Sequence, residues 1–169
     1  MIGDMKLALE VVNSLERDGI IGRYAIGGAM AAVFYAEPVS TFDVDIFIAF
    51  PVSLSGLISL SPIYKALAQK GFQESGEYVE IGGVPVQFLA VYNALVEEAL
   101  EKAVDIRYEG VTTRVFSLEH LIAIALQTGR PKDRGRVEML LSQAKPNMAL
   151  LEGILQRYGL KGKWKKWTS

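Results

Sequence analysis

The chain has 169 residues, half of them hydrophobic, and a formal net charge of −1. That length can bury one substantial core, so a single domain or a domain with a small helical lobe is expected, and the near-neutral charge excludes a protein that binds nucleic acid through its overall field. The absence of cysteine excludes a disulfide framework, thiolate metal sites and cysteine nucleophiles. The acid-bearing first residues do not make a secretory signal and no apolar run nears the roughly 18 residues of a membrane span, so a soluble, cytoplasmic protein without membrane contact is expected.

Asp4 caps a first helix, whose apolar positions Leu7, Val11, Val12 and Leu15 recur at helical spacing and stop near Gly19. A short buried strand over 22–26 runs into the pair Gly27-Gly28, followed by a short helix over 28–35 that Pro38 breaks. Residues 43–50 form the next strand. Ser61-Pro62 starts a helix as cap and first-turn proline, and that helix runs to Lys70 and stops at Gly71. Gly82-Gly83 between β-prone runs signals a hairpin, with Ile81 opposite Val84, Glu80 opposite Pro85 and Tyr78 opposite Gln87. A helix over 92–102 precedes a second hairpin turning at Glu109-Gly110. From Ser117 the apolar period is helical through Leu118, Leu121, Ile122 and Ala125. Another helix begins after Pro131, carrying Val137, Leu140 and Leu141, and a last one spans 147–158. The order predicts an α/β core over 1–116, a helical part over 117–158 packed on it, and a basic tail over 159–169.

Chemistry concentrates in two short stretches. Asp43 and Asp45 stand at i and i+2 on a β-prone run, so they share a face about 6.5 Å apart. Oxygen ligands so placed suit a hard divalent cation such as Mg²⁺ or Mn²⁺. Gly27-Gly28, at a strand-to-helix turn, lets backbone N–H groups approach a phosphate. The two stretches together predict a site for a metal and a triphosphate.

The stretches Ile26-Gly27-Gly28 and Phe42-Asp43-Val44-Asp45-Ile46 resemble the signature of the nucleotidyltransferase superfamily, which includes DNA polymerase beta and the minimal nucleotidyltransferases. The resemblance implies an α/β (α+β) fold with a mixed sheet flanked by helices and a C-terminal helical part. It implies Mg²⁺-dependent transfer of a nucleoside monophosphate from an NTP to an acceptor hydroxyl of protein or RNA, with Asp43 and Asp45 as catalytic metal ligands. In that family a third carboxylate comes from a later strand; Gln87 holds the position here, and its amide can ligate a metal weakly but cannot act as a base. Glu80, diagonal to Gln87 across the first hairpin, is the candidate substitute. Ser117-Leu118-Glu119-His120-Leu121-Ile122 and Gly129-Arg130-Pro131-Lys132-Asp133-Arg134 are similar to the helical region of abortive-infection nucleotidyltransferase toxins, whose pattern Ala125 and Arg136 do not match. That similarity implies that Arg130, Lys132 and Asp133 line the nucleotide cleft on a turn, with Gly27, Gly28 and Thr41 around the phosphates, and it implies an antitoxin as a partner. His120 is expected to be structural, and Met30, Phe34 and Tyr35 to be core. The tail Lys161-Gly162-Lys163-Trp164-Lys165-Lys166-Trp167 has the composition of a nucleic-acid grip.

Overall fold

Asp4 does cap the first helix. In the computed structural model, which describes residues 3–35, 43–49 and 60–169, its carboxylate accepts the Leu7 amide at 3.0 Å at the start of α1 (Met5–Arg17). There follow β1 (Tyr24–Gly27), α2 (Gly28–Val33), β2 (Val44–Ile48), α3 (Ser61–Gln69), β3 (Glu74–Ser75), β4 (Tyr78–Ile81), β5 (Val84–Ala90), α4 (Ala94–Glu101), β6 (Val104–Tyr108), β7 (Val111–Val115), α5 (Leu118–Thr128), α6 (Pro131–Gln143), α7 (Met148–Arg157) and α8 (Lys161–Thr168). Thr41, Phe42 and Pro38 lie outside the described residues.

The strands form one mixed sheet in the order β3-β4-β5-β2-β1-β7-β6. β2 runs parallel to β5 and β1 parallel to β7, and the other neighbours are antiparallel. Val44, Ile46 and Ile48 alternate to one face of β2 with Val86 and Phe88 beside them, all at most 1% exposed, in a core shared with Met5, Leu9 and Val12 of α1. The other face of the same two strands carries Asp45, Phe47, Gln87 and Leu89. A second core joins α5, α6 and α7 and takes in Ala32 of α2 and Leu95 of α4. The cleft lies where the second face of the sheet meets this helical part.

Local chemistry accounts for most of the boundaries. Gly82 and Gly83 both adopt positive φ, 60° and 80°, as a two-residue hairpin turn of the primed type requires, and the register Ile81↔Val84 and Glu80↔Pro85 is the expected one. Ser117 and Asn147 cap α5 and α7 through their side chains. Three expectations are corrected. Ser61 is not the cap of α3 but its first residue, with Leu60 ahead of it and Pro62 at the second position. The 130–133 segment is not a turn between helices but the first turn of α6. Proline at the first position of a helix ends one element and starts the next without an intervening loop. The basic tail is helical: Lys163 Nζ donates to the Leu126 carbonyl at 2.8 Å and lies 5.8 Å from the centre of the Trp167 ring, while Trp164 and Trp167 pack on the helical core. Lys163 is thus committed to the fold. Among the described residues no helix is long and apolar enough to cross a membrane.

On α5, His120 is fully buried, 2% exposed. Its Nε2 lies 2.7 Å from Glu98 Oε2 and its Nδ1 2.7 Å from Ser117 Oγ. Arg157 donates twice to the same Glu98 at 3.0 Å, so one carboxylate fastens α4, α5 and α7 together. Burial pushes the Glu98 carboxyl up, but the hydrogen bonds from Arg157 and His120 outweigh it and hold it below the ordinary carboxylate value.

Candidate active site

The floor of the cleft is one row across three strands, in which Gly27 pairs with Asp45 and Asp45 with Gln87. Gln87 therefore does occupy the strand position beside the aspartate pair. A cavity of about 490 Å³ opens above this row, lined from the sheet by Gly28, Asp43, Asp45, Gln87 and Tyr78 and from α5 and α6 by Leu121, Ile124, Arg130, Lys132, Asp133 and Arg136. Residues separated by about ninety positions are thus brought to one space. Gly28, Asp43, Asp45, Gln87, Arg130, Lys132 and Asp133 meet there; Gly27 and Glu80 do not line it.

The two glycines do different work. Gly28 has φ +61, and a Cβ placed on it would run into Asp45 Oδ2; only glycine fits, because both the backbone sign and the carboxylate forbid a side chain. Gly27 has an ordinary negative φ. A Cβ there would come within 2.5 Å of the Phe47 ring and 2.9 Å of the Phe116 ring, two rings that pack with centroids 5.0 Å apart. Gly27 therefore clears space under the site and does not border the cavity. Gly28→Ala is expected to cost about 1–2 kcal/mol for the left-handed backbone alone, which for a chain of this size lowers Tm by about 2–8 °C, and to displace the Asp45 carboxylate. Thermal unfolding checks the first effect and divalent-cation titration the second.

Glu80 is the clearest departure from the sequence expectation. It sits two residues nearer the hairpin turn than Tyr78, a rise of about 6.8 Å, and lines a different cavity with Glu74, Ser75 and Gly83. Tyr78 reaches the site in its place, donating its hydroxyl to Asp43 Oδ2 at 3.2 Å. The carboxylate near Gln87 is Glu77, whose Oε2 accepts from Gln87 Nε2 at 3.5 Å.

Burial, then the neighbouring Asp43, raise the Asp45 carboxyl above its ordinary value, and Arg136, Lys132 and Arg130 pull it back. Arg136 heads the cations, yet sequence pattern did not single it out. The available signal was its spacing: it follows Lys132 by four and Asp133 by three, so the three share a helix face. Asp133, 1% exposed, organises the group. It takes Arg130 Nε at 2.7 Å and NH2 at 3.1 Å, accepts the Arg130 backbone amide at 3.1 Å, and stands 3.8 Å from Arg136 NH1. Burial alone would raise the Asp133 carboxyl, but the side-chain and backbone hydrogen bonds of Arg130 hold it below the ordinary range. The result is a carboxylate pair on the sheet and a basic helix start opposite, the charge pattern that a metal-bound polyphosphate requires.

The donor set suits one hard divalent cation of the Mg²⁺ class. Asp43 and Asp45 offer oxygens from one strand face, and phosphate oxygens complete such sites in place of an all-protein cage. Among the described residues no group of three or more His, Cys, Asp or Glu could hold a metal ion by itself.

Neither a family model nor a curated protein matches the chain. Solved structures do. An antigenic nucleotidyltransferase-like protein from Paracoccidioides brasiliensis aligns over 96% of this chain and 94% of its own, at 16% identity and a TM-score of 0.55. The fold is that of the nucleotidyltransferases. The antibiotic-resistance factor ANT(2″)-Ia, solved with adenylyl-2″-tobramycin, aligns over 92% of this chain and 99% of its own, at 16% identity and a TM-score of 0.50. Its solution structure gives 14% identity over 92% and 94% of the two chains, at a TM-score of 0.50. On this nucleotidyltransferase fold, the mixed sheet and the helices flanking it correspond to the architecture expected from the sequence.

Proposed function

We propose that the protein transfers a nucleoside monophosphate from an NTP to an acceptor hydroxyl. The observation that carries this is the single cavity in which Asp43 and Asp45 face Lys132, Arg130 and Arg136 above Gly28. The acceptor oxygen forms a bond to the α-phosphorus, the bond between the α-phosphorus and the bridging oxygen breaks, and pyrophosphate leaves. Asp43 and Asp45 would hold Mg²⁺ or Mn²⁺, which would supply Lewis-acid charge to the phosphates and to the acceptor hydroxyl. Lys132 and Arg136 bind the phosphates and oppose the negative charge that develops on them, and Asp133 holds Arg130 and Arg136 in place. Gly28 leaves room for the Asp45 carboxylate to lie against the start of α2. Thr41, expected from the sequence to be among the phosphate-binding residues, lies outside the described residues.

The acceptor class is a hydroxyl on a protein or an RNA, with an antitoxin as the partner that the 117–134 pattern suggests. A neighbour of the same fold was solved in complex with adenylyl-2″-tobramycin, which adds small polyols to the acceptors worth assaying. Incubation with each α-labelled NTP, Mg²⁺ and cell extract, protein and RNA separated afterwards, tests the proposal: label should move to one acceptor fraction, and should not with Asp45→Asn.

Gln87 favours a second function, nucleotide binding without turnover, because its amide supplies neither the charge nor the proton acceptor of a third carboxylate. NTP·Mg²⁺ binding with no label transfer to any fraction would establish it over the first.

A further inference from the structure

We infer that Tyr92 is the stacking platform for the nucleobase of the bound NTP. This rests on the nucleotide-binding site proposed above and says which side chain holds the part of the nucleotide that the charged groups do not. Tyr92 is 61% exposed and is the one aromatic among the exposed large hydrophobic residues described. This exposed ring lines the cavity that holds the aspartate pair.

The backbone on both sides of the ring is held before any ligand arrives. Asn93, next to it, accepts the Val96 amide at 2.9 Å as the cap of α4 and donates to Gln127 Oε1 at 2.7 Å. The 91–93 link between β5 and α4 is therefore pinned to the end of α5. Tyr92 lines the same cavity as Thr128, Arg130 and Asp133. An aromatic with two side-chain torsions, anchored at both backbone ends, loses little entropy on stacking.

Position selects the base over the acceptor. Along β5 the lining changes from Gln87 to Leu89 and on to Tyr92, while α5 presents Leu121, Ile124 and Ala125 opposite. Besides the charged groups, the cavity wall includes an apolar set, Leu89, Leu121, Ile124 and Ala125, and the Tyr92 ring. A nucleotide offers the same two kinds of surface, charged phosphates and a flat, weakly polar ring. Tyr92 adjoins Arg130, on the helical side proposed to hold phosphate, whereas the hydroxyl beside Asp43 belongs to Tyr78. Stacking is tolerant of base identity, so Tyr92 gives affinity for all four NTPs, with little choice among them.

Titration calorimetry with ATP, CTP, GTP and UTP, each with Mg²⁺, and with Mg²⁺-tripolyphosphate tests this. Tyr92→Ala should weaken every NTP by roughly ten- to a hundred-fold and leave tripolyphosphate unchanged; Tyr92→Phe and Tyr92→Trp should restore NTP affinity. Equal losses for NTP and tripolyphosphate, or unchanged NTP affinity with a raised KM for the acceptor, would overturn the assignment. If wild-type protein binds tripolyphosphate as tightly as any NTP, the platform is wrong and the phosphate site stands. If it binds neither, the proposed nucleotide site itself falls and Tyr92 with it.

Discussion

Replacing Gln87 with aspartate is expected to accelerate nucleotidyl transfer by roughly 10²–10⁴-fold, the range of a well-placed general base. Gln87 pairs with Asp45 across β2 and β5, so an aspartate there has its carboxylate beside the pair without any movement of the backbone. The gain should appear in kcat, because deprotonating the acceptor belongs to the chemical step and not to NTP binding. A fourth acid in the neighbourhood of Glu77, Asp43 and Asp45 should also make binding more dependent on the divalent cation. Glu80→Gln should leave the rate alone, since Glu80 lines another cavity. Single-turnover kinetics with each NTP decides: no increase for Gln87→Asp would favour binding without turnover, and a fall for Glu80→Gln would mean that the hairpin rearranges when substrate binds.

Asp45→Asn should trade activity for stability. Losing one of two carboxylates that hold the cation removes several kcal/mol of transition-state stabilisation, on the order of 10³-fold in rate. Yet the variant should melt at a higher temperature near neutral pH. Burial and Asp43 raise this carboxyl above its ordinary 3.8, so the folded chain binds the proton more tightly than the unfolded chain does. Its stabilising contribution is complete below pH 3.8 and disappears as the pH rises through the higher folded value, where ionisation sets two like charges against each other. Asparagine escapes that loss, so the gap in Tm should be widest near neutral pH and close towards acid. Millimolar Mg²⁺ should raise the Tm of wild type more than that of the variant. A variant less stable than wild type at pH 7 would show that Asp45 makes a favourable structural contact instead.

The legible parts of the fold are those in which one residue dictates one backbone geometry. Gly82-Gly83 announced a hairpin because both turn positions need positive φ, and Asp4 announced a helix start because its side chain replaces a missing backbone partner. The aspartate pair was legible for a related reason, since carboxylates two apart on a strand have one shared face. What stayed hidden depends on partners distant in sequence. β3, two exposed residues (Glu74–Ser75), carries no apolar pattern and exists because β4 offers an edge. α8 reads as a solvated basic run until Lys163 finds the Leu126 carbonyl. Arg136 and Tyr92 enter the site only through the docking of α6 and the pinning of the 91–93 link, and neither neighbour is close in sequence to the aspartates. Glu80 and Tyr78 occupy the same strand face, and period-2 logic could not choose between them; the length of the tyrosine and its distance from the turn did.

The division of charge between sheet and helix also sets an order of events during synthesis. Asp43 and Asp45 are made about ninety residues ahead of Arg136, which at roughly 5–20 residues per second is a wait of several seconds on the ribosome. For that interval the nascent chain has a pair of acids and none of the bases that face them in the finished cavity. The complete cavity therefore arrives late and all at once, when α6 docks, and an unfinished or prematurely released chain lacks the basic half of the proposed nucleotide site.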